Sequence, residues 1–145
     1  TFARKTMTPR FESVIEKFRE ADFPGWQLSG VDGPRGRFGS FGQTMLHVVA
    51  VWGDVESGRI LIEEGALLDV AGEHGCTPLH EATLQGHSEM VRLLLDAGSN
   101  PDLRCEYGTF FEIAENSACV SIRDLGKMKE EGKGEQNGDG NPIPH

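Results

Sequence analysis

The stretch Gly75-Cys-Thr-Pro-Leu-His-Glu-Ala-Thr-Leu-Gln-Gly-His-Ser-Glu-Met-Val-Arg-Leu-Leu-Leu-Asp-Ala-Gly98 decides the fold of this chain. Thr77 followed by Pro78 is typical of a helix start, because the threonine hydroxyl caps free backbone amides and proline suits the first turn. Gly86 breaks this first helix, and a second helix with apolar residues on one face follows and stops at the final glycine. The stretch therefore predicts two short antiparallel helices joined by a turn.

The same unit recurs along the chain with a period of 33 residues. Neither helix of one unit can bury its apolar face alone, so this self-similarity predicts stacked units that form a solenoid. The matching positions, without a gap, are Gly42 with Gly75, Thr44 with Thr77, Leu46 with Leu79, His47 with His80, and Gly53 with Gly86.

This pattern closely resembles the ankyrin family, through the Thr-Pro-Leu-His sequence at 77–80 and the Gly-His pair at 86–87. The resemblance implies an all-α fold, an ankyrin-repeat solenoid of stacked helix-turn-helix units. It is firm from Gly42 to Gly108 and looser as far as Leu125, and it does not cover the N-terminal third.

Two of the repeats depart from the consensus. In the first, Met45 replaces the proline, Asp54 replaces the histidine of the Gly-His pair, and Gly58 lies inside the second helix. An interior glycine costs a helix about 1 kcal/mol relative to alanine, so this helix is expected to be the softer one. The third repeat aligns only if one residue is deleted, and its second helix near Cys119 to Leu125 is degenerate, as in a C-terminal cap.

An amphipathic helix is predicted near the N-terminus, where Thr8 and Pro9 provide a start signal. Pro24 and two glycines interrupt the second helix that an ordinary ankyrin cap would place at 21–31. The first helix is therefore expected to form an irregular lid over the exposed end of the first repeat. Its apolar residues are Phe11, Val14, Ile15 and Phe18.

Glycine recurs at every third position from Gly30 to Gly42. These triplets are too few for a collagen helix, and the strand and lysine that accompany a phosphate-binding loop are missing. We interpret the segment as a mobile loop that continues into the first finger loop. The alternative is a ligand-binding protein or an enzyme that uses Arg35 or Arg37 to hold an anion.

Three parts of the chain are predicted on these grounds. The first is the capping helix with its glycine-rich loop, the second contains two full repeats and the degenerate third, and the last is a tail rich in glycine, charge and proline that is expected to be disordered. They comprise residues 1–41, 42–129 and 130–145.

Composition restricts the classes of function. The 145 residues carry a formal net charge of −9, which opposes the long-range attraction on which nonspecific nucleic-acid binding depends. Three cysteines without a CxxC spacing indicate reduced thiols rather than a disulfide framework. No apolar run approaches the roughly 18 residues of a membrane span, and no hydrophobic signal core is found. We therefore expect a cytoplasmic protein that binds neither membranes nor nucleic acids.

Three histidines occupy motif positions of the ankyrin family. The resemblance implies that His47 and His80 bond to backbone between helices and fingers, and that His87 belongs to the Gly-His turn. No HExxH, CxxC or Ser-His-Asp arrangement is found. We therefore predict no metal ion, no cofactor and no enzymatic activity.

The resemblance also implies that the chain binds a partner protein, through its finger loops and the exposed side of the first helix of each repeat. A concave patch around Trp52 is the strongest candidate, since aromatic anchors dominate interface energies. Two alternatives remain: the N-terminal segment covers Trp52, or the patch joins two copies in a homodimer. The predicted partner-binding residues are Val51, Trp52, Leu84, Gln85, Glu81, His74, Arg104 and Tyr107.

Overall fold

A computed structural model of the chain describes residues 8–21, 37–38 and 42–134. In these ranges the chain forms α-helices, two short antiparallel hairpins and a 3-10 turn. The elements are α1 (Pro9–Ala21), β1 (Arg37–Phe38), β2 (Gln43–Thr44), α2 (Met45–Trp52), α3 (Val55–Glu63), the 3-10 turn (Glu73–Gly75), α4 (Pro78–Gln85), α5 (Ser88–Ala97), β3 (Arg104–Cys105), β4 (Gly108–Thr109), α6 (Phe110–Glu115) and α7 (Val120–Gly134).

A threonine starts the first helix of each repeat. Thr44, Thr77 and Thr109 precede α2, α4 and α6, and each hydroxyl accepts a hydrogen bond from the backbone amide three residues later. The side chain at that later position bonds back to the threonine amide, which completes a capping box. Helices α2 and α4 end at Gly53 and Gly86, whose φ angles of 75° and 81° suit glycine.

The helices stack in two layers. Helices α2, α4 and α6 pack side by side in one layer, α3, α5 and α7 form the other, and the two helices of each repeat contact each other. Apolar side chains from both layers fill the core, and the largest include Leu46, Leu61, Leu79, Leu94 and Phe110. The predicted all-α stack of helix-turn-helix units is confirmed.

Helix α1 packs against α3 at the open end of the stack. Phe11, Val14 and Phe18 are completely or almost completely buried. The ring centroid of Phe18 lies 5.2 Å from that of Trp52, on the first helix of the first repeat. Burial of these apolar side chains holds α1 on the repeats, because exposed ion pairs contribute little.

A polar contact also joins α1 to α3. Lys17 Nζ lies 2.9 Å from both Asp54 Oδ2 and Ser57 Oγ. The Asp54 carboxylate caps α3, since it accepts hydrogen bonds from the backbone amide and the hydroxyl of Ser57. Burial opposes ionisation of Asp54, but the bonds from Ser57 and Lys17 outweigh this effect and lower its pKa. The residue that replaces the motif histidine thus has a capping role of its own.

Two helix glycines mark places where neighbouring helices approach closely. A Cβ atom at Gly58 of α3 would lie 3.1 Å from Met90 Cε of α5, and one at Gly126 of α7 would lie 2.9 Å from Ala114 Cβ of α6. From the sequence, Gly58 is expected only to destabilise its helix. The structure shows that it also leaves room for α5.

The last helix is longer than predicted. We expected a degenerate helix near Cys119 to Leu125 and a disordered tail from residue 130, whereas α7 continues to Gly134. Its first half packs in the core, and lysine, methionine and glutamate, which have high helix propensity, dominate the second half. Helix α7 thus extends past residue 130, and residues 135–145 lie outside the described part.

Most of the N-terminal segment also lies outside the described residues. This holds for the predicted helix interruption at 22–31 and for Arg35 in the glycine-rich segment. Arg37 and Phe38, however, form β1, which pairs with β2 in antiparallel register. This part of the predicted loop is instead one strand of a hairpin, because its backbone pairs with the strand that leads into α2.

Replacing Phe18 with alanine should lower the free energy of unfolding by about 3–5 kcal/mol, because a cavity forms under α1 and the contact with Trp52 is lost. Urea unfolding followed by circular dichroism measures the change. Glu20→Ala, at an exposed position of the same helix, is the control and should change the stability by less than about 0.5 kcal/mol. A Phe18→Ala loss as small as that of the control would show that α1 is not part of the cooperative fold.

Candidate functional site

The finger loops of neighbouring repeats are bonded to each other. We call residues 72–76 the first finger and residues 104–109 the second finger. The backbone amide of Glu106 donates a hydrogen bond of 3.0 Å to the carbonyl of His74. His74 has a φ of 59°, in the left-handed region that residues other than glycine seldom adopt. The two fingers therefore form one connected surface.

Buried His47 joins the first helix of its repeat to the first finger. Its Nδ1 atom accepts a hydrogen bond of 3.1 Å from the backbone amide of Thr44. Its Nε2 atom lies 3.0 Å from the backbone carbonyl oxygen of Cys76. The imidazole thus pairs with two backbone groups, the amide that starts α2 and a carbonyl of the first finger.

His80 repeats this arrangement one unit later. Its Nδ1 atom accepts from the amide of Thr77 at 3.0 Å, and its Nε2 atom lies 2.9 Å from the carbonyl oxygen of Leu103. An amide only donates and a carbonyl only accepts, so the ring is neutral and carries its proton on Nε2. Burial accordingly lowers the pKa of His80, against the opposing effect of the Leu103 carbonyl.

His87 connects two successive repeats. Its Nε2 atom lies 2.9 Å from the backbone carbonyl oxygen of Val51, at the end of α2. A Cβ atom at Gly53 would lie 2.7 Å from His87 Nδ1, so this glycine leaves the space that the ring occupies. Each of the three histidines therefore contacts a backbone carbonyl through its Nε2 atom.

A groove of about 880 Å³ opens between the end of α4, the β3–β4 hairpin and α6. We call it the α4–α6 groove. Leu84 and Gln85 line it from α4, and Arg104 and Tyr107 line it from the second finger. Leu84 is 40% exposed and Tyr107 is 52% exposed. The structure thus brings four of the predicted partner-binding residues together in one groove.

The charged side chains of the groove include two glutamates and one arginine. Arg104 Nη1 lies 3.0 Å from Glu112 Oε1. The backbone amide of Thr109, which donates to the same carboxylate, and the nearby Arg104 keep the pKa of Glu112 below its usual value. Glu106 is exposed on the turn of the second finger. The groove therefore carries a small excess of negative charge.

His74 and Glu81 are not among the residues that line the groove. The His74 ring lies edge-on to Tyr107, with ring centroids 5.4 Å apart, and its Nδ1 atom lies 3.5 Å from Glu106 Oε2. Glu81 is half-buried on α4, and burial together with the nearby carboxylate of Glu73 raises its pKa. His74 thus supports the tyrosine of the groove, whereas Glu81 lies partly inside the fold.

Val51 and Trp52 do not line the α4–α6 groove either. Trp52 is 39% exposed, and the Phe18 ring of α1 packs against it. Val51 is half-buried, and its carbonyl is the one that His87 contacts. Helix α1 therefore covers part of Trp52 and leaves part of it exposed.

The sequence interpretation missed the α6 side of the groove. Ile113 and Asn116 line it, but the third repeat matches the consensus only through a deletion, which hides their positions. Thr109 and Glu112 have the Thr-x-x-Glu spacing of a capping box. This signal identifies the start of α6 without any alignment to the other repeats.

The structure gives two further results for the part of the chain that it describes. Histidine, cysteine, aspartate and glutamate side chains there form no group of three that could hold a metal ion. None of the helices in the same ranges combines the length and the apolar character that crossing a bilayer requires.

Acidification should lower the free energy of unfolding, because folding keeps His80 neutral. Its folded-state pKa lies below the ordinary value of 6.5, so below that pH the unfolded chain takes up a proton that the folded chain does not. Stability should fall from about pH 6.5 down to the folded-state pKa, by at most about 1.4 kcal/mol per pH unit for this residue. Urea unfolding at a series of pH values measures the slope.

His80→Gln and His74→Gln form a matched pair for this test, since only the first histidine is buried. We expect His80→Gln to reduce the slope and His74→Gln to keep it. An equal slope in the wild type and in His80→Gln would contradict the role given to the neutral ring.

Comparison with known proteins identifies a repeat family, in agreement with the stacked helix pairs of the structure. A sequence model of the family described as Ankyrin repeats (3 copies) matches residues 25–105. The match starts upstream of Gly42, so the resemblance reaches further into the N-terminal third than the repeat motifs predict. No curated protein matches the chain. Since the family match spans more than half of the 145 residues, the chain belongs to the ankyrin-repeat family.

Proposed function

We propose that this chain is a non-catalytic module that binds a partner protein through the α4–α6 groove and the second finger. Ankyrin repeats are generally protein-interaction modules. The observation that carries the proposal is the meeting of exposed Leu84 and Tyr107 with Gln85 and Arg104 in one groove.

The chemistry of the groove supports a peptide or protein segment as the ligand. Tyrosine combines a large apolar ring with a polar hydroxyl group, and it is enriched among the residues that contribute most to interfaces. The groove is open and has polar as well as apolar walls, whereas small-molecule sites are enclosed and mostly apolar. A partner that buries the Tyr107 ring and contacts the rim would therefore gain both affinity and orientation.

Rigidity of the fingers supports the same proposal. The backbone bond from Glu106 to His74 joins the second finger to the first, and the His80 bond to Leu103 fixes the residue just before the second finger. A loop that is already ordered loses little conformational entropy when a partner docks on it.

The alternatives from the sequence have less support. The anion-binding alternative uses Arg35 or Arg37. Arg35 lies outside the described residues, the backbone of Arg37 belongs to β1, and members of this family are typically not enzymes. Homodimer formation through Trp52 is disfavoured because Phe18 already covers part of the ring. A cytoplasmic location stays a prediction.

Alanine at Tyr107 should weaken capture of the partner at least about tenfold, because the exposed ring is the main anchor of the groove. The experiment immobilises the wild type and the variant, exposes both to an extract of the source cells, and quantifies captured proteins by mass spectrometry. Leu84→Ala should show a smaller loss of the same proteins, since it removes a smaller contact area.

Asp96→Ala is the control for this experiment, because Asp96 is exposed on α5 and does not line the groove. It should capture as much as the wild type. Equal capture by Tyr107→Ala and by the control would overturn the groove as the binding site. Light scattering that shows a dimer, lost in Trp52→Ala, would favour the homodimer instead.

A further inference from the structure

Two of the three cysteines lie together between the fingers. Cys76 ends the first finger, Cys105 belongs to β3, and both are buried, with exposures of 1% and 8%. With Ile113 they form a small apolar cluster separate from the main core. Residues that are far apart in sequence thus bring two thiol side chains into one buried cluster.

The backbone segments that carry the two thiols lie close together. A Cβ atom at Gly75, the neighbour of Cys76, would lie 3.8 Å from Cys105 Cα, so the two finger backbones are close at this point. The hydrogen bond from the Glu106 amide to the His74 carbonyl fixes their separation. Disulfides form where two Cα atoms lie about 4.4–6.8 Å apart and the side chains face each other. The close approach of the two finger backbones therefore favours a link between Cys76 and Cys105.

The surroundings of the two sulfurs differ. Burial, and then the neighbouring Cys105 thiol, raise the pKa of Cys76 well above its usual value. Cys105 retains some exposure, and its sulfur accepts a hydrogen bond of 3.4 Å from the backbone amide of Tyr107. An oxidant therefore reaches Cys105 first, and Cys76 is the partner that resolves the product.

We propose that Cys76 and Cys105 are an oxidation site at which a peroxide forms an intramolecular disulfide between the two fingers. Cys105 loses its proton and its sulfur attacks hydrogen peroxide, which gives a sulfenic acid and releases one water molecule. The Cys76 sulfur then attacks the sulfenic sulfur, the S–O bond breaks, and a second water molecule leaves. In total two thiols are oxidised and one peroxide is reduced to two water molecules.

Such a link would act on the second finger. Tyr107 lies two residues after Cys105, so the disulfide would anchor the loop that carries the tyrosine of the α4–α6 groove. Any effect of the link on partner binding rests on the proposed function. Formation of the link does not, because it needs only this chain and the oxidant.

The test treats the reduced, folded wild type with hydrogen peroxide, then denatures it, alkylates the remaining thiols and measures the intact mass. We expect the number of alkylated cysteines to fall from three to one. Proteolysis should yield a linked pair of peptides that contains Cys76 and Cys105, and reduction should separate them. This mapping uses the wild type and needs no variant to fold.

Two variants provide matched controls. Cys119→Ser removes the half-buried third thiol and should leave no cysteine to alkylate after oxidation. In Cys105→Ser, the two remaining cysteines should both be alkylated after peroxide treatment, and no linked peptide should form. Three alkylated cysteines in the oxidised wild type, a link through Cys119, or sulfinic acid at Cys105 without a link would each overturn the proposal. None of these results would affect the test of partner capture.

Discussion

A buried, neutral imidazole in each full repeat is the contact on which the finger surface depends. His47 and His80 each accept a hydrogen bond from the threonine amide that starts their helix. Each also donates one to a backbone carbonyl, that of Cys76 in the first finger or that of Leu103 just before the second finger. Loss of the ring would leave a buried amide and a carbonyl without partners, and each unsatisfied group costs about 1–3 kcal/mol. The helices owe their stacking to apolar burial, but the fingers have few apolar residues and owe their position to these rings.

The third repeat shows what happens where this contact ends. Glu112 takes the position of the histidine, and its carboxylate accepts from the Thr109 amide in the same capping box. A carboxylate has no proton to donate to a backbone carbonyl. The chain that follows α7, where the next finger would begin, lies outside the described residues. Glu112 instead pairs with Arg104 of its own hairpin. The residue at this motif position thus caps α6 and places a charged pair in the groove, without the carbonyl contact that His47 and His80 make.

Much of the fold follows from the sequence because it is governed by local patterns. The threonine caps, the αL glycines and the helix periodicity identify α2, α4 and α5, and the family match agrees with them. The site was only partly predictable. Spacing within a repeat brings Leu84 and Gln85 to an exposed position, but only the packing of α6 against α4 shows that they share a groove with Asn116. The extra length of α7 and the close approach at Gly58 likewise depend on contacts between helices, which a pattern along one helix does not contain.

The role of the two buried rings is tested most directly by measuring their protonation state. Nuclear magnetic resonance of ¹⁵N-labelled histidine distinguishes the two neutral tautomers from the charged ring. At neutral pH, His47 and His80 should both be neutral with the proton on Nε2, and each proton should show a coupling across its hydrogen bond to the carbonyl carbon of Cys76 or Leu103. A proton on Nδ1, or a charged ring at either position, would contradict the arrangement that holds the fingers.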